Sequence, residues 1–122
     1  MEKTGNFKDL IVWQKSMRLV KEVYRVVKLL PKEELYSLSD QIRRSAISIP
    51  SNIAEGQARN SMKEFIQFLA IAKGSKAELE TQLLLCVEIN YLTNSDIDKA
   101  INLIQEIGKM IYALQKSLKT KG

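Results

Sequence analysis

The sequence has 122 residues, with no histidine and a single cysteine, and these two scarcities exclude several classes of catalytic and metal site. Ser-His-Asp and Cys-His catalysis, two-histidine zinc sites and the Glu-x-x-His pairs of di-iron bundles all need an imidazole ring, so all are excluded. Cys86 alone can form neither an intramolecular disulfide nor a cysteine-rich metal cluster. We therefore expect no catalytic residues of these classes.

The acidic residues give no clear metal site either. Glu55, Glu78 and Glu88 carry oxygen ligands of the kind that Mg²⁺ binds, but nothing in their spacing fixes a geometry. A metal-dependent nuclease that uses these carboxylates is the least favoured function. We predict no enzymatic activity, no metal and no cofactor.

Long apolar runs are also missing. No stretch approaches the roughly 18 uninterrupted apolar residues that a membrane span needs. The first residues, Met1 to Asn6, contain no apolar signal region. We expect a cytoplasmic protein with no membrane partner.

Positive charge is present in modest excess, with 19 Lys and Arg against 14 Asp and Glu and a formal net charge of +5. A basic balance favours an anionic partner such as RNA or DNA. The alternative is that the excess serves solubility alone.

Four segments show helical periodicity, over residues of about 8–30, 38–55, 61–90 and 95–118. Pro31 ends the first segment, Gly56 is placed to cap the second, and Ser61 to Glu64 form a capping box before the third. Short connections make successive helices antiparallel neighbours. We predict one all-α domain over residues 1–122, an up-down-up-down antiparallel four-helix bundle. Pro50 should kink or split the second helix.

The first helix carries two apolar lines, separated by roughly 125° around its axis. Two apolar directions on one helix of a small bundle are most simply explained by contact with another copy of the chain, which would cover the second line. The alternative is one wide buried face. The first line comprises Leu10, Trp13, Met17, Val20, Tyr24 and Val27, and the second comprises Val12, Leu19, Val23, Val26 and Leu30.

A basic ridge lies between these lines on the first helix. Its members follow three-four-three spacing and project into one sector: Arg18, Lys21, Arg25 and Lys28. Lysine and arginine side chains displace the counterions of a nucleic-acid backbone, so the ridge favours phosphate binding. A solvated outer face is the alternative.

The second helix carries a polar line with the four-three spacing of a buried seam. Its members are Gln41, Ser45, Ser48, Asn52, Glu55 and Arg59, with Arg43 and Arg44 beside them. Guanidinium, amide and hydroxyl groups on one face can bind phosphates or sugars. Small polar residues also let helices approach and fix their register, so polar packing within an oligomer is the alternative.

Gly74 interrupts an otherwise strong third helix, where glycine costs about 1 kcal/mol relative to alanine. Together with Ala70 and Ala77 it forms a strip of small residues. We predict that another helix packs closely against this strip.

Several stretches together resemble a known bacterial family. They are Phe7–Leu10, Val12–Lys15, Leu38–Ser45, Ser48–Gly56, Phe68–Ala72, Gly74-Ser75 and Glu78–Leu83. The chain resembles the bacterial four-helix bundle proteins that include those encoded within intervening sequences of large-subunit ribosomal RNA genes. Ser45 departs from the alanine expected after the arginine pair.

The resemblance implies a barrel-like homopentamer without established enzymatic activity. The family is similar to the accessory variability determinant of diversity-generating retroelements, a basic pentamer that associates with a reverse transcriptase and nucleic acid. At the positions that match the family's motifs, the resemblance implies a functional surface formed by Arg43, Arg44, Ser48, Asn52 and Arg59.

These observations together predict a non-enzymatic, oligomeric nucleic-acid-binding protein, directed at RNA in the first instance. The predicted contacts are Arg43, Arg44, Ser48, Asn52 and Arg59 with the ridge residues Arg18, Lys21, Arg25 and Lys28. The alternative is an oligomeric scaffold for a protein partner.

Overall fold

Residues 6–121 are described by a computed structural model in which four α-helices account for most of the chain. The helices are α1 (Ile11–Val27), α2 (Leu38–Ala58), α3 (Met62–Glu88) and α4 (Asn94–Lys121). Two 3₁₀ turns, Phe7–Asp9 and Lys32–Glu34, precede α1 and α2. This described part contains no strand, so the all-α prediction is confirmed.

The observed ends differ from the predicted ones by a few residues. The first helix is shorter at both ends, because residues 7–9 form a separate 3₁₀ turn and residues after Val27 turn towards Pro31. The cap before α3 is confirmed, since the Ser61 hydroxyl accepts a hydrogen bond from the Glu64 amide at 3.1 Å. A periodic pattern of apolar residues predicts the middle of a helix better than its ends, because fraying and capping shift each end by one or two residues.

The four helices close into a ring of neighbours around one core. Helix α1 packs against α2 and α4, and α3 packs against the same two helices from the other side. Burying each large apolar side chain stabilises the fold by about 1.5–3 kcal/mol. The largest fully buried side chains are Phe65, Leu19, Ile42, Ile49, Ile53, Leu69, Leu79, Leu83, Ile97, Ile104, Ile107 and Ile111.

The second apolar line of α1, assigned to a contact with another copy, instead faces the core of the single chain, and the first line is only partly exposed. Leu19, Val23 and Val26, from the line assigned to another copy, are 0% exposed within the single chain. Met17 and Tyr24, from the other line, are 46% and 41% exposed. Both lines are apolar, so periodicity alone could not decide which one faces the core.

Helix α2 passes through Pro50 without splitting and continues beyond Gly56 to Ala58. The prediction that Gly56 caps this helix is therefore wrong. Gly56 is buried against α3, where an added Cβ would lie 2.7 Å from Phe68 Cβ and 2.9 Å from Phe65 Cδ1. The missing side chain lets the two helices approach each other.

In its described part, the single chain also lacks the close packing predicted for Gly74. It is exposed on α3, and no atom lies within 4 Å of the position that an added Cβ would take. Ala70 and Ala77 are exposed as well. Within residues 6–121, no helix packs against this strip.

No helix within residues 6–121 has the length and apolar character needed to cross a membrane.

A carboxylate joins the two loops at one end of the bundle. Glu34 accepts hydrogen bonds from the Ser37 hydroxyl at 2.7 Å and from the Tyr91 hydroxyl at 2.8 Å. These bonds favour the charged form and lower the pKa of Glu34, whereas the bond to Glu34 raises the pKa of Tyr91. The pair connects the loop before α2 to the loop before α4.

Replacing Tyr91 with phenylalanine should raise the pKa of Glu34 towards its ordinary value, because the carboxylate loses one donor. A lowered folded-state pKa adds stability above the unfolded-state pKa, which is lost as the pH falls through the folded-state value. Carboxyl-carbon NMR titration measures the change. Glu106, whose pKa is lowered by Lys15, is the internal control and should not move. An unchanged Glu34 pKa in the variant would contradict this assignment.

Candidate functional site

The basic ridge of α1 borders a depression between α1 and α4. Arg18, Lys21, Arg25 and Lys28 are all exposed along it, as one α-helical sector requires. Lys99 of α4 faces them across a depression of about 750 Å³. The structure thus adds a fifth cation to the four that the sequence placed together.

One acidic side chain, Glu22, lines this depression, and it is already engaged. Glu22 is 6% exposed and accepts a hydrogen bond from Arg25 Nε at 3.0 Å. Hydrogen bonding and attraction to this carboxylate raise the pKa of Arg25. Within residues 6–121, no carboxylate forms an ion pair with the remaining cations, which are Arg18, Lys21, Lys28 and Lys99.

A second depression, of about 300 Å³, continues the first one towards α2. Tyr24 and Lys28 line both depressions, and Lys32 and Arg43 line the second. We call the combined region the basic surface, consisting of Arg18, Lys21, Arg25, Lys28, Lys32, Arg43 and Lys99. It brings Arg43 together with the ridge, as the predicted site requires.

The arginine pair of α2 shares one acidic partner. Arg44 Nε donates to Asp40 Oδ2 at 2.8 Å, and Arg43 Nη2 lies 3.9 Å from Asp40 Oδ1. Arg43 also donates to the Leu35 carbonyl oxygen at 3.2 Å, whereas the Arg44 side chain is 79% exposed. Asp40 therefore offsets part of the charge that this pair offers to an anion.

Ser48 and Asn52 belong to a contact between α2 and α3. The hydroxyl oxygens of Ser48 and Ser75 lie 2.7 Å apart. Asn52 Nδ2 donates to the Ser48 carbonyl oxygen at 2.8 Å and to its hydroxyl at 2.9 Å. Both residues are half-buried, and their polar atoms are engaged within the single chain, in a contact between α2 and α3.

Arg59 lies at the other end of α2, about 22 Å along the axis from Arg44 at 1.5 Å per residue. Its guanidinium group forms ion pairs with Glu55 at 3.0 Å and Glu64 at 3.5 Å. It also lies 5.0 Å from the centre of the Phe68 ring. Arg59 is thus separate from the basic surface.

A smaller basic depression, of about 420 Å³, lies between α3 and α4. Lys73, Lys76, Lys109 and Tyr112 line it. It contains no arginine and fewer cations than the basic surface, so it serves below as the comparison site.

Within residues 6–121, no three cysteine or acidic side chains lie close enough together to hold a metal ion. Glu55 pairs with Arg59, and Glu22 pairs with Arg25. The carboxylates of the two arginine-rich regions are thus used in ion pairs.

Among the exposed apolar side chains of residues 6–121, two groups form candidate contact surfaces. The first is the α1/α2 groove, of about 310 Å³, lined by Trp13, Met17, Val20, Ile47, Pro50, Ser51 and Ala54. The second is the outer α3 face, consisting of Ile71, Leu84, Leu85 and Ile89, each between 44% and 51% exposed. Large exposed apolar side chains in such groups are typical of surfaces that contact another protein.

Comparison with known proteins identifies the family. No curated protein matches the chain. The chain superposes with a TM-score of 0.80 on a crystal structure from Bacteroides thetaiotaomicron, described as a protein with unknown function from the S23 ribosomal protein family. The two are 30% identical, and the match covers 87% of this chain and 99% of that one. A model of the 23S rRNA-intervening sequence protein family matches residues 8–113. The chain therefore belongs to the 23S rRNA-intervening sequence protein family.

Proposed function

We propose that this protein is a non-enzymatic, homo-oligomeric nucleic-acid-binding protein, directed at RNA in the first instance, that contacts phosphates through the basic surface. The observation that carries the proposal is the charge balance of the depression between α1 and α4. Among residues 6–121, four of the five cations that line it form no ion pair, and Glu22, the one carboxylate that lines it, is paired with Arg25. Such a site attracts phosphate without reading base identity. We place the protein in the cytoplasm, where it would encounter cellular RNA and DNA.

Oligomerisation is the second part of the proposal. The α1/α2 groove and the outer α3 face are different apolar surfaces on one chain, and a contact between them repeats from copy to copy. Head-to-tail contacts give a closed ring when the rotation between successive copies closes, and the proposal takes this assembly to be a pentameric ring. Five basic surfaces on one ring would bind one long polyanion with increased avidity.

Replacing Lys21 and Lys28 with alanine should weaken binding to RNA of any sequence. Each phosphate contact that is removed lowers the slope of log K against log salt concentration by about 0.7–0.9. Fluorescence anisotropy with labelled RNA at several salt concentrations measures both effects. Arg43→Ala with Arg44→Ala should cost less than the lysine pair, because Asp40 already offsets part of their charge.

The matched control removes two lysines from the comparison site, by Lys73→Ala with Lys109→Ala. This variant has the same net charge as the Lys21 and Lys28 variant, so a local contact and a general loss of charge are distinguishable. Equal losses in both double variants would contradict binding at the basic surface. If the wild-type protein binds no nucleic acid but recovers one protein from nuclease-treated extract, the alternative of a protein-interaction scaffold replaces the proposal.

A further inference from the structure

We infer that the basic surface binds single-stranded nucleic acid in preference to duplex, with Tyr24 and Tyr36 as stacking platforms for unpaired bases. The inference rests on the proposed function and adds the class of ligand. Surfaces that bind single strands combine cations along the backbone path with aromatic rings on which bases stack. The basic surface has both elements.

Tyr24 lies in the middle of the basic surface. It lines both depressions, together with Lys21 and Arg25 in the first and Lys32 and Arg43 in the second. The side chain is 41% exposed. The ring is thus anchored on α1 and offers part of its surface to a ligand that follows the cations.

Tyr36 is a second aromatic ring, next in the chain to Leu35 of the second depression. Its side chain is 91% exposed, more than any other large hydrophobic side chain within residues 6–121. The neighbouring residue, Leu35, lines the second depression, and its carbonyl oxygen accepts a hydrogen bond from Arg43. This bond ties the short loop that carries Tyr36 to the basic surface. Neither core packing nor a hydrogen bond within residues 6–121 accounts for this ring.

The arrangement of rings distinguishes single strands from duplexes. In a duplex the faces of the bases are stacked on one another, so only phosphates, sugars and groove edges reach the protein. An unpaired base can leave its neighbours and stack on a tyrosine, which is worth roughly a fivefold to more than hundredfold change in affinity per base. Cations alone would bind both forms, whereas Tyr24 and Tyr36 add affinity for the single strand.

The competing explanation for Tyr24 is contact with another copy of the chain. Tyr24 continues the half-exposed line of α1 that includes Met17, which lines the α1/α2 groove. Tyr24 itself does not line that groove; its neighbours in the first depression are mainly lysines and arginines, and those in the second are Lys28, Lys32 and Arg43 among mainly apolar residues. An interface residue and a stacking residue differ in the effect of their replacement on subunit number.

The test compares a labelled 15-nucleotide uridine-rich RNA with the same RNA annealed to its complement, using the full chain and fluorescence anisotropy. We expect at least tenfold tighter binding to the single strand. Tyr24→Leu and Tyr36→Leu should each weaken single-strand binding by roughly fivefold to hundredfold. Duplex binding and the salt slope should not change, because no cation is removed. Tyr24→Phe and Tyr36→Phe keep the ring and should restore single-strand affinity.

The matched control is Tyr112→Leu, which removes a 61% exposed ring from the comparison site. It should leave both affinities unchanged. Equal affinity for strand and duplex, insensitive to Tyr24 and Tyr36, would overturn this inference and leave the proposed function standing. If neither form binds, the proposed function fails as well. A Tyr24→Leu protein that loses subunits by light scattering, and binds both forms equally weakly, would assign Tyr24 to the contact between copies and overturn its stacking role.

Discussion

Replacing Gly56 with alanine is expected to lower the free energy of unfolding by about 1–3 kcal/mol, although alanine is the better helix former. The added Cβ would lie 2.7 Å from Phe68 Cβ and 2.9 Å from Phe65 Cδ1. Phe65 is 2% exposed, so its ring has little space into which to move. Helices α2 and α3 would have to separate, which loosens contacts along the longest interface of the bundle.

Gly74→Ala is the matched control, because it makes the same chemical change inside α3. No atom lies within 4 Å of the added Cβ, so the substitution gains helix propensity without a clash. It should raise the free energy of unfolding by roughly 0.5–1 kcal/mol. Urea unfolding at one fixed protein concentration measures both variants, since subunit contacts make stability depend on concentration. Equal effects of the two substitutions would contradict the close approach at Gly56.

The two glycines illustrate what the sequence could and could not predict. Four helices and their order follow from periodicity, Pro31 and the Ser61 cap, all of which act within one segment. The roles of the glycines depend on what another helix places beside them. Gly56 looked like a helix end but is a packing site, and Gly74 looked like a packing site but has no packing neighbour within residues 6–121 of the single chain. A glycine inside a helical pattern carries the same local signal in both cases.

For a related reason, the sequence could not show which apolar line of α1 faces the core. A helix with two apolar lines can turn either line inward, and the direction depends on the positions of α2 and α4. The observed choice buries Leu19 and Val23 and leaves Met17 half-exposed. Of the first line, Met17 and Tyr24 remain exposed, whereas Trp13 and Val20 pack against the core.

The candidate site was predictable where one helix forms it. The ridge of α1 was found by spacing alone, because its members share a sector of one helix. Lys99 was missed, since α4 brings it to the ridge from a distant part of the sequence. Tyr24 was missed because its apolar spacing grouped it with Met17. Arg59 was grouped with Arg44 by a common face, but the length of α2 separates them.

A single glutamate placed in either exposed apolar surface is expected to dissociate the proposed ring into monomers of 13.9 kDa. Ile47→Glu changes the α1/α2 groove, and Leu85→Glu changes the outer α3 face; these side chains are 41% and 45% exposed in the single chain. A charge buried at a protein contact without a partner is strongly unfavourable, whereas an exposed position tolerates it within one chain. Size-exclusion chromatography with light scattering measures the subunit number, and circular dichroism checks that each variant folds. Gln105→Glu, at an exposed position on α4, is the control and should leave the ring intact.

Mixing the two variants distinguishes a head-to-tail contact from a symmetric one. An Ile47→Glu protomer keeps its α3 face, and a Leu85→Glu protomer keeps its α1/α2 groove, so one sound contact can form between them. The mixture should therefore give a 1:1 dimer that grows no further, because both remaining surfaces carry a glutamate. In a symmetric contact the same surface meets itself, and mixing would restore nothing. A mixture that stays monomeric would reject the head-to-tail arrangement, and a monomeric wild-type protein would reject the ring altogether.

The dimer would also carry two basic surfaces, so its affinity for long RNA should fall between those of monomer and ring.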